Sequence, residues 1–136
     1  MSETLSACKA LAAMMVRDQG KPDVDEIMFV AHAALELGLD GDENEQVQKV
    51  LEKGGDFEAL LADVETEESR LFLFRRIVSA TLLDSHINEN EQHFIAKAAE
   101  SFGYDRRVVD EYISWLCEGI DWERRGVAVM ARLKGK

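Results

Sequence analysis

An internal repeat constrains the fold of this chain more than any other feature of its sequence. The segments 26–40 and 91–105 align without a gap, and seven of their fifteen positions are identical. The identical pairs are Glu26/Glu91, Phe29/Phe94, Ala31/Ala96, Ala33/Ala98, Ala34/Ala99, Gly38/Gly103 and Asp40/Asp105. Both segments carry apolar residues at helical spacing and then a glycine, which commonly ends a helix. The repeat predicts two copies of one helix–turn–helix unit.

Each copy also begins with the residues of a capping box. Asp23 stands three residues before Glu26, and Asn88 stands three residues before Glu91. In such a pair the first side chain accepts a hydrogen bond from the backbone of the second residue, whose own side chain reaches back. We therefore expect one helix to begin after Asp23 and another to begin after Asn88.

An aspartate precedes each of these turns, at Asp18 and Asp84. A carboxylate in the last turn of a helix faces the negative end of the helix dipole, which is unfavourable. A hard cation held between Asp and Glu would remove this conflict, and Ca²⁺ or Mg²⁺ prefers oxygen ligands of this kind. The predicted metal ligands are Asp18, Glu26, Asp84 and Glu91. The alternative, that these residues are only solvated helix ends, stays open.

The stretch from Ala80 to Glu91, Ala-Thr-Leu-Leu-Asp-Ser-His-Ile-Asn-Glu-Asn-Glu, resembles the repeated motif of the TerB-like family, named for the tellurite-resistance protein TerB. The stretch from Arg17 to Glu26 resembles it with one insertion. This sequence departs from the motif after each aspartate, where Gln19 and Ser85 replace a glycine. The resemblance implies an all-helical fold, acidic residues proposed to bind metal, and a link to tellurite or other chemical stress.

Helical periodicity over the whole chain predicts an all-α protein with one compact domain, a bundle of about seven or eight helices. Within residues 1–136 we expect repeat one at about 3–53, a connector helix at about 56–63, repeat two at about 66–118 and a C-terminal helix at about 120–133. Gly119 is expected to separate the last two helices. The two repeats should be related by an approximate two-fold axis.

The apolar stripes of these helices predict the core. Expected core residues of the second helix are Ile27, Val30, Ala31, Ala34 and Leu35. Those of the fifth helix are Leu71, Phe74, Ile77, Val78 and Leu82. Those of the sixth helix are Phe94, Ile95, Ala98, Ala99 and Phe102. Trp115, Trp122, Val127, Met130 and Leu133 are also expected to pack inward, as are both cysteines, Cys8 and Cys117.

The charge limits the classes of partner. The net charge of −11 and the pI of about 4.7 argue against nucleic acid and anionic membranes, because both attract clustered Lys and Arg. They are compatible with cations and basic partners. The sequence contains no apolar run near the 18 residues of a bilayer span, so no membrane insertion is expected and a cytoplasmic location is predicted.

Two further polar groups have simpler interpretations than metal binding. The run from Asp40 to Glu45 imitates the start of an EF-hand loop, but Glu45 replaces the glycine at its sixth position and Leu51 replaces the bidentate Glu at its twelfth. We interpret the run as the cap of the third helix. His86 and His93 are interpreted as surface residues, because the other copy of the repeat does not preserve them.

The sequence therefore predicts a non-enzymatic, acidic TerB-like module. It would bind a divalent cation through its paired Asp/Glu turns and contact an unknown protein partner in a tellurite or chemical stress response. A purely structural interaction domain without metal is the first alternative. A metal-dependent hydrolase is the second, although no base, nucleophile or oxyanion donor is identifiable near the turns.

Overall fold

The computed structural model describes residues 3–19, 22–81 and 89–135, and within them all side chains except those of residues 17–19 and 89–91. All regular structure in these ranges is helical. The helices are α1 (Glu3–Gln19), α2 (Val24–Glu36), α3 (Gly41–Lys53), α4 (Phe57–Ala62), α5 (Glu67–Thr81), α6 (Glu89–Phe102) and α7 (Arg106–Leu133). The all-α prediction is confirmed.

The chain divides into two compact units, Met1–Gly103 and Tyr104–Lys136. In the first unit α1 lies at the centre and contacts each of α2 to α6. Ten consecutive positions of α1 show why, because from Leu5 to Met14 every side chain except that of Lys9 is buried. A helix that is apolar on all sides is stable only when it is covered on all sides. The second unit contains α7, a single helix about 42 Å long.

Aspartates begin four of the helices. Asp23, Asp40, Asp56 and Asp105 precede α2, α3, α4 and α7, and each side chain accepts a hydrogen bond from a backbone N–H of the first turn. These bonds satisfy donors that have no partner within the helix. The predicted box of Asp23 with Glu26 is confirmed, whereas Asn88 lies outside the described residues.

The helix ends match between the two copies of the repeat. After α2 and after α6 the chain passes through a glycine with positive φ, 70° at Gly38 and 73° at Gly103. Two residues later an aspartate begins the next helix, at Asp40 and at Asp105. The approximate two-fold axis that would relate the two complete repeats stays a prediction.

The predicted core is confirmed for α6 and only in part for α2 and α5. All five expected residues of α6 are buried. In α2, however, Ile27, Ala31 and Leu35 are exposed, and in α5 Leu71 is exposed. Leu82 lies outside the described residues. Both helices carry apolar residues on more than one face, and their contacts with α1 decide which face is buried.

The prediction of a separate C-terminal helix after Gly119 is wrong, because α7 continues to Leu133. A glycine ends a helix when it adopts a left-handed conformation, and Gly119 does not have a positive φ. Inside a helix it costs only about 1 kcal/mol relative to alanine, which the good helix formers around it can offset.

Candidate functional site

The four predicted metal ligands occupy helix ends, so far as the structure describes them. Asp18 belongs to the last turn of α1, and Glu91 is the third residue of α6. The side chains of both lie outside the described part, and Asp84 lies outside it altogether. That the four carboxylates share one metal site therefore stays a prediction.

Glu26 is the member of this set whose side chain is described. It is buried, with 6% of its surface exposed, at the third position of α2. Its Oε1 accepts a hydrogen bond from the backbone N–H of Asp23 at 3.0 Å, and Asp23 Oδ1 accepts one from the N–H of Glu26 at 2.8 Å. One oxygen of this carboxylate is therefore engaged in capping α2, as the sequence predicted.

No group of three or more His, Cys, Asp or Glu side chains in the described ranges could hold a metal ion. The acidic run that imitates an EF-hand caps α3, as predicted. Asp40 and Glu43 form a capping box, with hydrogen bonds of 3.1 and 2.8 Å. Asn44 donates to the carbonyls of Leu39 and Asp40, so this turn is closed by its own hydrogen bonds.

The described histidines are surface residues. His93 is exposed and its ring meets that of Phe94 edge-on, with centroids 6.1 Å apart. His32 is exposed on α2. The prediction of an ordinary surface histidine is confirmed for His93, and His86 lies outside the described residues.

The cysteines differ from each other. Cys8 is buried in α1, and burial raises the pKa of its thiol to about 12. Its Sγ lies 3.9 Å from the carbonyl oxygen of Val30. Cys117 is exposed on α7, so its predicted place in the core is wrong. A thiol with a raised pKa forms little of the reactive thiolate, and Cys8 is therefore a packing residue.

The least expected surface is on α7. Eight positions follow one another at alternating spacings of four and three residues, and we call them the α7 seam: Val108, Tyr112, Trp115, Gly119, Trp122, Gly126, Val129 and Leu133. Trp115 is 65% exposed and Trp122 is 71% exposed, so the prediction that they pack inward is wrong. Trp115, Gly119 and Trp122 line the same surface cavity.

Large apolar side chains at this level of exposure are unusual for a helix of a globular protein. Val108 is 60% exposed, and Leu133 is 82% exposed. Val127 and Met130 of the same helix are also exposed, contrary to prediction. The alternating spacing of the seam is visible in the sequence. It was missed because Gly119 was interpreted as a helix end, which divides the pattern in two.

Comparison with protein-family models, with curated proteins and with solved structures finds no match for this chain. The resemblance to the TerB-like family therefore rests on the motif residues themselves. In the described part of the chain, no helix has both the length and the apolar composition that crossing a bilayer requires.

Proposed function

We propose that this chain is a non-enzymatic, acidic helical module of TerB-like type that acts by contacting other protein chains. The observation that carries the proposal is the α7 seam, where Trp115, Trp122 and Leu133 are each more than half exposed. Tryptophan is among the residues that contribute most to protein interfaces, since its large ring gains much when it is desolvated.

The charge distribution supports the same surface. Residues 1–103 contain 9 Lys and Arg against 21 Asp and Glu, a net charge of −12. Residues 104–136 contain 7 against 6, a net charge of +1. The acidic character of the chain therefore belongs to the first unit. The second unit is nearly neutral, so its net charge does not strongly repel another protein surface.

A photo-reactive benzophenone amino acid tests the proposal in the cells that make the protein. It would replace Trp115 in the seam or, as a matched control, Ala128, which is exposed on another side of α7. We expect light-dependent covalent adducts with protein from position 115 and few from position 128. Adducts from neither position, or equal adducts from both, would contradict a contact made by the seam.

A divalent cation at the acidic turns is the second candidate function. Two observations favour it: Asp18 lies in the last turn of α1, where a carboxylate is unfavourable, and Glu26 is a buried carboxylate at the start of the next helix. A cation between such groups would stabilise the fold. Its contribution is about 2.7 kcal/mol at a hundredfold excess over the dissociation constant.

Calorimetric titration of the metal-free protein with Ca²⁺ and with Mg²⁺, combined with melting curves, tests the cation site. We expect saturable binding and a higher melting temperature for the wild type, and loss of both for the Asp84→Asn, Glu91→Gln double variant. Without metal this variant should be at least as stable as the wild type. The sequence predicts Asp84 near the C-terminal end of a helix, where a carboxylate is unfavourable, and glutamine can replace glutamate in a capping box. An unchanged wild-type melting curve would leave these turns as helix ends.

A further inference from the structure

The α7 seam has the spacing of a two-stranded coiled coil. Its positions alternate between a and d of a heptad, with Tyr112, Gly119, Gly126 and Leu133 at a and Val108, Trp115, Trp122 and Val129 at d. All eight are apolar or glycine, and all lie within one continuous helix. A pattern sustained over this length packs against another helix with the same period.

The sizes of these residues indicate which helix fits. Two large residues, Trp115 and Trp122, occur on the same face as two residues without side chains, Gly119 and Gly126. An antiparallel copy of α7, centred between Ile120 and Asp121, places each large residue opposite a small one. The facing pairs are Trp122 with Gly119, Trp115 with Gly126, Tyr112 with Val129, and Val108 with Leu133. A parallel copy would instead place each tryptophan against itself and leave a gap between glycines.

No packing contact in the described part of the chain explains Gly119 and Gly126. A Cβ built on Gly119 or Gly126 meets no atom of the described structure within 4 Å, apart from the nearby backbone of its own helix. Neither glycine has a positive φ. Glycine is unfavourable inside a helix, so its occurrence at two seam positions one heptad apart indicates close approach by a group from outside α7.

The charges beside the seam complete the antiparallel fit. The residues that precede each a position are Glu111, Glu118, Arg125 and Arg132. In an antiparallel coiled coil these g positions face each other across the two helices. Glu111 then faces Arg132 of the second copy, and Glu118 faces Arg125. All four contacts in the symmetric pair join opposite charges.

We propose that the α7 seam joins two copies of this chain in a symmetric, antiparallel two-helix dimer. The proposal rests on the function proposed above and names the partner as the chain itself. In such an interface the same surface of each copy contacts the other copy. Each contact between two different residues therefore occurs twice. The near-neutral second unit lets the helices meet, while the negative charge lies in residues 1–103.

Sedimentation equilibrium of the full chain over a range of concentrations measures the association directly. We expect a reversible change to twice the 15.3 kDa chain mass, unaffected by a reducing agent because Cys117 lies away from the seam. Both tryptophans of the chain belong to the seam. Their emission should therefore shift to shorter wavelength as the dimer forms. A monomer at the highest attainable concentration, or a larger assembly, would overturn the proposal.

Gly119→Leu fills the space that Trp122 of the second copy requires. The variant should weaken the dimer by roughly tenfold or more, because overpacking an interface displaces both backbones. It should not disturb the helix itself, since a Cβ at this position meets none of the described neighbouring atoms and leucine favours helix. Ala128→Leu is the matched control and should leave the dissociation constant unchanged. Equal effects of the two variants would place the dimer contact elsewhere.

Charge exchange tests the antiparallel register. Glu118→Arg and Arg125→Glu should each weaken the dimer by about three- to tenfold, because each puts like charges opposite one another twice. The double variant Glu118→Arg, Arg125→Glu should recover most of the wild-type affinity. Circular dichroism should show the same helix content in all four proteins. A double variant no stronger than the single ones would overturn this register.

Sedimentation and crosslinking together distinguish failure of the dimer proposal from failure of the interaction-module proposal. If the purified chain is monomeric while position 115 forms adducts with another protein in cells, the partner is not a second copy and the module stands. If the chain is monomeric and position 115 forms no adduct, both proposals fall.

Discussion

Helix α1 and helix α7 differ in what surrounds their small residues. In α1, Ala10, Ala12 and Ala13 have no exposed surface, and five other helices contact this helix. A Cβ built on Gly55, in the connection before α4, would lie 3.7 Å from the Cβ of Ala13. At Ala13, therefore, the small side chain of α1 lies where neighbouring backbone comes near.

In α7 no described atom outside the helix backbone lies near the Cβ positions of Gly119 and Gly126, although the tryptophans beside them are large and exposed. Small residues in a helix indicate a close approach by another group, but they do not show which chain supplies that group. For α1 the approaching groups belong to the same unit. For α7 we propose that they belong to a second copy.

Two leucines give the largest expected contrast between these helices. Leu11 in α1 has no exposed surface, whereas Leu133 in α7 is 82% exposed. Leu11→Ala should lower the free energy of unfolding by about 2–5 kcal/mol, because it removes buried contacts and leaves a cavity. Leu133→Ala should change it by less than about 0.5 kcal/mol in dilute solution. Urea unfolding followed by circular dichroism measures both, and similar losses would show that α7 is as buried as α1.

Replacing Gly54 or Gly119 by alanine should change the stability of the chain in opposite directions. Gly54, which ends α3, has φ 82° and ψ 178°, a conformation almost restricted to glycine. Gly54→Ala should therefore cost about 1–3 kcal/mol of stability. Gly119→Ala should instead raise the stability of the dilute chain by about 0.5–1 kcal/mol, since alanine favours helix.

The same Gly119→Ala variant should dimerise more weakly, because even a methyl group enters the space expected for Trp122 of the second copy. Stability and dimer affinity, measured on one preparation, would then change in opposite directions. A variant that gains both would contradict close approach at Gly119.

The elements that could be predicted from the sequence are those set by local chemistry. The capping boxes at Asp23 and Asp40 depend on residues three apart, and the burial of Phe94 and Phe102 follows from one narrow apolar stripe. These features can be predicted without knowing how the rest of the chain folds.

The elements that could not be predicted depend on partners distant in sequence. Leu35 and Leu71 belong to helices with apolar residues on several faces, and packing against α1 and the other neighbouring helices decides which face is buried. The candidate surface was missed for a related reason. A single glycine can end a helix or continue it, because inside a helix it costs only about 1 kcal/mol relative to alanine. The acidic turns were predicted from charge placement, and their cation stays a prediction.

The smallest expected effect concerns how the first helix begins. Glu3, the first residue of α1, accepts hydrogen bonds from the backbone N–H groups of Glu65 and Thr66 and from the hydroxyl of Thr66. It thereby caps the start of α5 from 62 and 63 residues away in the chain, whereas Asp105 accepts a hydrogen bond from Arg107 in the first turn of its own helix. These bonds, the one from the backbone of Thr66 above all, lower the pKa of Glu3 below its usual value of 4.5.

Glu3→Gln should lower the free energy of unfolding by roughly 0.5–1 kcal/mol at neutral pH, because a neutral amide oxygen is a weaker acceptor than a carboxylate. Since the pKa of Glu3 is lower in the folded chain, its contribution is complete above about pH 4.5 and is lost as the pH falls through the folded value. The wild type and the variant should therefore converge in acid, as urea unfolding at several pH values would show. Glu45→Gln, at an exposed site of α3, is the control and should show no such convergence. A constant difference between wild type and Glu3→Gln at all pH values would mean that the carboxylate charge is not what joins the start of α1 to the start of α5.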